Sequence, residues 1–210
     1  RDFTVVTIAA ASPNVLVVYP GEAATTVAEL VDAIRHAPGT YSFASPGVGT
    51  TPHLSGELFR LATKTDLVHV PFTGAGPASQ ATVAGQTRIA FVNVPPAVML
   101  VRAGSLRALA TTGAARSNAL PDVPTMAEAG VGGLDAETLL FVLVPASTPP
   151  QIVALLNGAI GKALERPDVR HTFDTLGFKT MGGTSDAAAA RVRVEIAKWA
   201  KVIHDANLRQ

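Results

Sequence analysis

Short apolar runs alternate with segments that open on helix-capping residues, and this alternation constrains the fold more than any other feature of the chain. The runs predict strands at Thr4–Ala10, Val15–Tyr19, Tyr41–Ser45, Leu67–Phe72, Arg88–Asn93, Leu106–Thr112 and Leu139–Val144. Most are near-continuous in Val, Ile, Leu and Phe and are flanked by Gly, Pro or Ser, the pattern of strands covered on both faces. Between them, Thr26 and Glu29 form a capping box ahead of Val27, Leu30, Val31 and Ile34, which share one helical face, and Pro38-Gly39 ends that helix. Thr51-Pro52 opens a second helix, with Thr as N-cap and Pro in the first turn. Thr125 and Glu128 repeat the box. Thr148 caps a helix with Ile152, Leu155, Leu156, Ile160 and Leu164 on one face, and the last helix runs from about Ser185 to Ala206. Strand–helix alternation of this kind predicts an α/β fold with a mainly parallel sheet and helices on both faces.

Composition excludes several functions. The 210 residues carry 17 basic and 16 acidic side chains, a net charge of +1, with the basic residues scattered. Such a chain offers no electrostatic footprint for nucleic acid. Cysteine is absent, which removes thiolate catalysis, disulfides and Cys-based zinc sites. No run of 18 apolar residues reads as a membrane span. His53 and Glu57 stand at i, i+4, but no third residue is spaced to complete a metal site, and no nucleophile elbow or carboxylate pair stands out. No catalytic residue, metal or cofactor is expected.

The informative stretch is YSFASPGVGTTPHLSGELF, Tyr41–Phe59. A strand ends at Ser45, a loop with Gly47 and Gly49 follows, and a helix starts at Thr51-Pro52. Glycine lets backbone amides approach a ligand, and a helix start presents unpaired N–H groups with a partial positive charge. Together they suit an anion. The loop lacks the lysine of a nucleotide-binding loop, so a carboxylate fits best, with free amides around Gly49 and Thr51 facing an opening. An ordinary capped strand–helix turn remains the alternative. A second glycine loop, PFTGAGP, contains Thr73 and Gly74. Asn93 precedes Pro95-Pro96, either lining a site or capping a helix. These loops would cluster at the carboxyl ends of their strands, where open α/β sheets bind ligands.

In order, SPGVGTTPHLSGELF, LVHVPFTGAGPA, GQTRIAFVNVPPAV, RAGSLRALATTGAARSNALPDVPTMAEAG, VPASTPPQIVALLN and EIAKWAKVI resemble the Bug-type extracytoplasmic solute receptors of tripartite tricarboxylate transporters. The resemblance implies a two-lobed periplasmic binding protein fold of the type II, Venus-flytrap kind, which closes around a small mono- or dicarboxylate and delivers it to membrane permease subunits. It implies ligand contacts from Ser45, Gly47, Gly49, Thr50, Thr51, His53 and Asn93, and less firmly from Thr73 and Gly74, because Phe72 and Thr73 stand where the family often has Tyr and Lys. Leu139 and Leu140 replace a family aromatic, and the family's first strand and its glycine loop have no counterpart ahead of Arg1. The expectation is therefore one complete lobe, residues 18–139, with parts of the other in residues 1–17 and 140–210. A ligand-sensing domain of a regulator, built on the same fold, is the alternative; no helix-turn-helix accompanies it.

Overall fold

The computed structural model describes residues 2–208; the outermost residues of the two expected terminal segments, 1 and 209–210, lie outside it. Fourteen elements follow in order: β1 (Phe3–Val18), α1 (Val27–His36), β2 (Ser42–Ser45), α2 (Thr51–Thr63), β3 (Val68–Pro71), α3 (Ala75–Val83), β4 (Ile89–Asn93), α4 (Val94–Arg102), β5 (Arg107–Thr111), β6 (Glu137–Pro145), α5 (Pro150–Glu165), α6 (Pro167–Leu176), β7 (Lys179–Thr180) and α7 (Ser185–Asp205).

The first two expected strands are one. β1 runs for 16 residues, straight through Pro13-Asn14. Its first part pairs with β6, from Phe3 opposite Pro145 to Pro13 opposite Glu137, and Ala10 and Ala11 also pair with β7. From Asn14 onward it pairs instead with β4 on one side, and from Val15 with β5 on the other. A proline can sit in this strand because it falls where the partners change and no ladder donor is needed. Residues 14–17, expected with the first terminal segment, thus lie in the sheet of β4 and β5.

The order β3-β2-β4-β1-β5 corrects the expectation of a mainly parallel sheet. β2 pairs in parallel with β3 and β4, but every pairing of β1 is antiparallel. Parallel pairing needs a crossover helix between strands, and the first strand of the chain enters the sheet from the opposite end. The apolar runs remain legible because helices cover both sides: Leu16, Phe43, Ile89 and Phe91 pack with α1 residues on one side, while Val15, Val17, Ala90 and Val92 meet α3 and α4 residues on the other.

The helix signals succeed unevenly. Thr26 and Glu29 form the complete box, and α1 buries Val27, Leu30, Val31 and Ile34 as expected. Thr125 and Glu128 also exchange their capping bonds, yet only turns follow. Gly130, Gly132 and Gly133 come next, two of them at positive φ, and end the helix before it starts. In α5 the expected cap Thr148 makes no capping bond; the N-cap position is Pro149. α6 carries no signal that the sequence reading used.

Ile152 and Leu155 of α5, both expected inside, are exposed, as are Phe3, Leu140, Leu143, Val194 and Ile196. These residues belong to β1, β6, α5 and α7, and the described residues cover them only in part. Among the described residues, no helix is long and apolar enough to cross a membrane.

Candidate functional site

Because β2, β3 and β4 are parallel, the segments that leave their carboxyl ends emerge at one edge of the sheet. The loop after β2 carries Gly47–Thr50, the loop after β3 carries Phe72–Gly74, and β4 ends on Asn93. The first two loops are stitched together: Phe72 donates its amide to the Ser45 carbonyl at 3.0 Å, and a Cβ on Gly47 would stand 3.4 Å from the Phe72 carbonyl oxygen. Gly47, Gly49 and Gly74 all have positive φ, at 145°, 77° and 131°. Glycine accepts these angles without the penalty of a side chain.

The glycine loop is braced from beneath. Gly47 donates to Ser45 Oγ at 3.2 Å, Thr50 to the Gly47 carbonyl at 3.3 Å, and Gly49 to His53 Nδ1 at 3.0 Å. The expected free amide at Gly49 is thus engaged, because His53 lies one turn into α2 and its ring folds back under the loop. Thr50 is the N-cap of α2, accepting from His53 N–H through Oγ1. Pro52 has no N–H, and the first helical bond is that of Leu54 to the Thr50 carbonyl. What remains is the Thr51 amide at the first position of a 13-residue helix, together with the amide of exposed Val48; neither has a hydrogen-bond partner among the described residues.

Ser45 and His53 are only 0% and 2% exposed, so they lie under the loop and shape it rather than forming its outer surface. His53 stacks on His69, ring centroids 3.9 Å apart, and His69 stacks on Phe43 at 4.9 Å. Burial lowers the His53 pKa, against the opposing pull of the Glu57 carboxylate. Burial, and then the neighbouring His53, lower that of His69 to about 4. Both rings are therefore neutral near pH 7. With its Nδ1 accepting from Gly49, His53 carries its proton on Nε2, which faces Glu57 at 3.9 Å. Ser45 Oγ lies 2.7 Å from His69 Nε2, the spacing of a nucleophile and its base. The serine is sealed beneath the loop and the base is weakened, so this pair serves to hold the loop. No group of three metal-ligating side chains occurs among the described residues, and His53 and Glu57 stay a pair.

Asn93 is at the N-cap of α4 but makes no capping bond. Its Nδ2 donates to Asn14 Oδ1 at 3.0 Å and to Thr138 Oγ1 at 2.7 Å. Asn14, fully buried, in turn donates Nδ2 to Ser55 Oγ at 2.9 Å, and its backbone N–H goes to Thr112 Oγ1 at 2.9 Å. Ser55 donates to the Thr51 carbonyl, also at 2.9 Å. One continuous set of hydrogen bonds thus joins Asn93 to the first turn of α2 through the point where β1 changes partners. Asn14, Ser55, Thr112 and Thr138 were not anticipated from the sequence. The available signal was Pro13-Asn14 between two apolar runs, which reads equally well as a turn. Thr73 is exposed beside this edge. Two hollows, of about 610 Å³ at the start of α5 and about 410 Å³ between Arg116 and Lys179, share no residue with the three loops.

Comparison with known proteins identifies relatives of the fold and of the sequence. The structure of Rpa4515 from R. palustris with adipate superposes with a TM-score of 0.93 at 33% identity, covering 98% of this chain and 69% of that one. MatC from Rhodopseudomonas palustris with bound malate gives a TM-score of 0.88 at 30% identity, covering 96% of this chain and 69% of that one. A UPF0065 protein from the tcbD-tcbE intergenic region of Pseudomonas sp. (strain P51) is 38% identical over 209 residues, 99% of this chain. The chain spans 62% of that relative's length. The family model described as "Tripartite tricarboxylate transporter family receptor" matches residues 1–208. The chain belongs to the receptor family of the tripartite tricarboxylate transporters.

Proposed function

We propose that this chain forms most of a periplasmic receptor that captures a small mono- or dicarboxylate and passes it to the permease subunits of a tripartite transporter, with no catalytic step. The observation that carries the reading is the unpaired Thr51 amide at the start of α2, directly after the glycine loop and at the same sheet edge as the segments of Thr73-Gly74 and Asn93. An N-terminal amide on the axis of a helix favours a carboxylate oxygen by both hydrogen bonding and the helix dipole. Gly47, Gly49, Thr50, Thr51, Thr73, Gly74 and Asn93 surround the ligand in this reading, while Ser45 and His53 keep the loop in shape. That Rpa4515 and MatC carry adipate and malate supports the same class of ligand.

The change of partners along β1 supports two bodies, one built around β2–β5 and the other around β6 and β7. In our reading they meet at Pro13-Asn14 and again at Ala136-Glu137. Capture is then a population shift: a ligand held on one body favours closure by its added contacts with the other. The test is a thermal-shift screen of the full-length gene product with small mono- and dicarboxylates, adipate and malate included. A ligand at 100 times its dissociation constant should add about 2.7 kcal/mol of stability. No shift with any of them would refute the reading.

A further inference from the structure

Resting on the carboxylate reading, we infer that the ligand carries, besides the carboxylate held at Thr51, a hydrogen-bond donor, a hydroxyl or an amine, and that the Asn93 side-chain oxygen receives it. The inference follows from which way round two amides must lie. Ser55 has one hydroxyl proton, and its Oγ stands 2.9 Å from the Thr51 carbonyl oxygen. Two oxygens at that distance need the proton between them. Ser55 can therefore only accept from Asn14, so Asn14 turns its NH₂ toward Ser55 and its Oδ1 toward Asn93 and Thr138.

Asn93 must then present its NH₂ to Asn14 Oδ1. Thr138 agrees with this direction, since it donates to Asn14 Oδ1 at 3.2 Å and accepts from Asn93 at 2.7 Å. Every donor of this knot points inward. The atom left over is Asn93 Oδ1, which accepts no hydrogen bond from the described residues and is not a buried atom. It does not cap α4 either.

The site thus presents two poles of opposite sense, linked through Asn14 and Ser55. The Thr51 amide is a donor for carboxylate oxygens. Asn93 Oδ1 is an acceptor, and a bare carboxylate oxygen set against it would be repelled. A ligand satisfies both with an anionic head and a hydroxyl or amine donor on its frame, as malate and aspartate have. A ligand without that donor leaves the oxygen to water.

Calorimetric titration of the full-length gene product with malate, aspartate and succinate tests this, since the three share a four-carbon dicarboxylate frame. Malate, aspartate or both should bind about tenfold more tightly than succinate, the size of one net hydrogen bond at a half-exposed position. Preference for malate alone assigns a hydroxyl, and for aspartate alone an amine. In N93A the preference should vanish; the wild-type comparison decides the matter even if that variant does not fold. Equal affinity for all three overturns the inference and leaves the carboxylate reading standing. Failure of all three and of adipate to bind overturns both.

Discussion

Gly49 gives its backbone N–H to Nδ1 of His53 at 3.0 Å, so an exposed glycine loop of the site is pinned by an almost fully buried imidazole. Replacing His53 with Leu keeps the volume near the Phe43 and His69 rings but removes the acceptor. We expect a loss of about 0.5–1.5 kcal/mol, the net worth of one hydrogen bond whose exposed donor can turn to water. Denaturant melts would measure it. Hydrogen exchange at the Gly49 amide should accelerate in the variant, and unchanged exchange would contradict the pinning.

Acid should weaken the fold through the same pair of rings. The His69 pKa is lowered from 6.5 to about 4, and that of His53 is lowered as well, in both cases chiefly by burial. Below pH 6.5 the unfolded chain takes up protons that folded His69 refuses, so stability falls as the pH drops from 6.5 toward 4. Above 6.5 His69 is neutral in both states and contributes no slope. The melting temperature, followed across this window, should decline, and H69Q should flatten part of the decline. An H69Q profile identical to that of the parent would rule the ring out as its source.

Gly56 stands inside α2, where alanine would normally favour the helix by about 1 kcal/mol. Here a Cβ would come within 2.2 Å of Phe43 Cε2, and Phe43 is a fully buried ring of the core. G56A should therefore destabilise the protein by about 1–3 kcal/mol, the range for overpacking. Chemical denaturation decides the sign, which helix propensity alone predicts the other way.

Asn14 holds Ser55, Asn93 and Thr138 through its side chain while itself fully buried. N14A strands these partners, and we expect about 2–3 kcal/mol of lost stability from the unpaired groups. It should also lower ligand affinity, because the Asn93 amide loses the partner that fixes its orientation. Titration of the variant at a temperature where it remains folded separates the second effect from the first.

Much of the fold was legible because its signals are local. The α1 box, the Thr-Pro start of α2 and the apolar runs of β2, β4 and β5 depend on a few neighbouring residues, and each formed where expected, except that the cap of α2 is Thr50, one residue before the expected Thr51. The direction of β1 and its continuity were not legible. Pro13-Asn14 has the chemistry of a turn, and only partners distant in sequence, Thr112, Thr138 and Asn93, make it the middle of a strand. The loops of the site were visible as glycine between strand and helix. Their internal bonds were not, since the His53–Gly49 contact and the His53–His69 stack depend on how α2 lies over β2 and β3. The Ile152 and Leu155 stripe shows the limit of periodicity: spacing says which residues share a face, not whether anything covers it.

The length of β1 also determines how the molecule can be dissected. Its last residues, Val15–Val18, lie between β4 and β5 and pair with both, while its first residues are paired with β6. A gene cut after residue 18, leaving β2–β5, would remove the strand that lies between β4 and β5 and leave two raw edges facing each other. Excision has to carry the strand along, or splice a replacement into the gap. One strand is thus a rib of both sets of pairings.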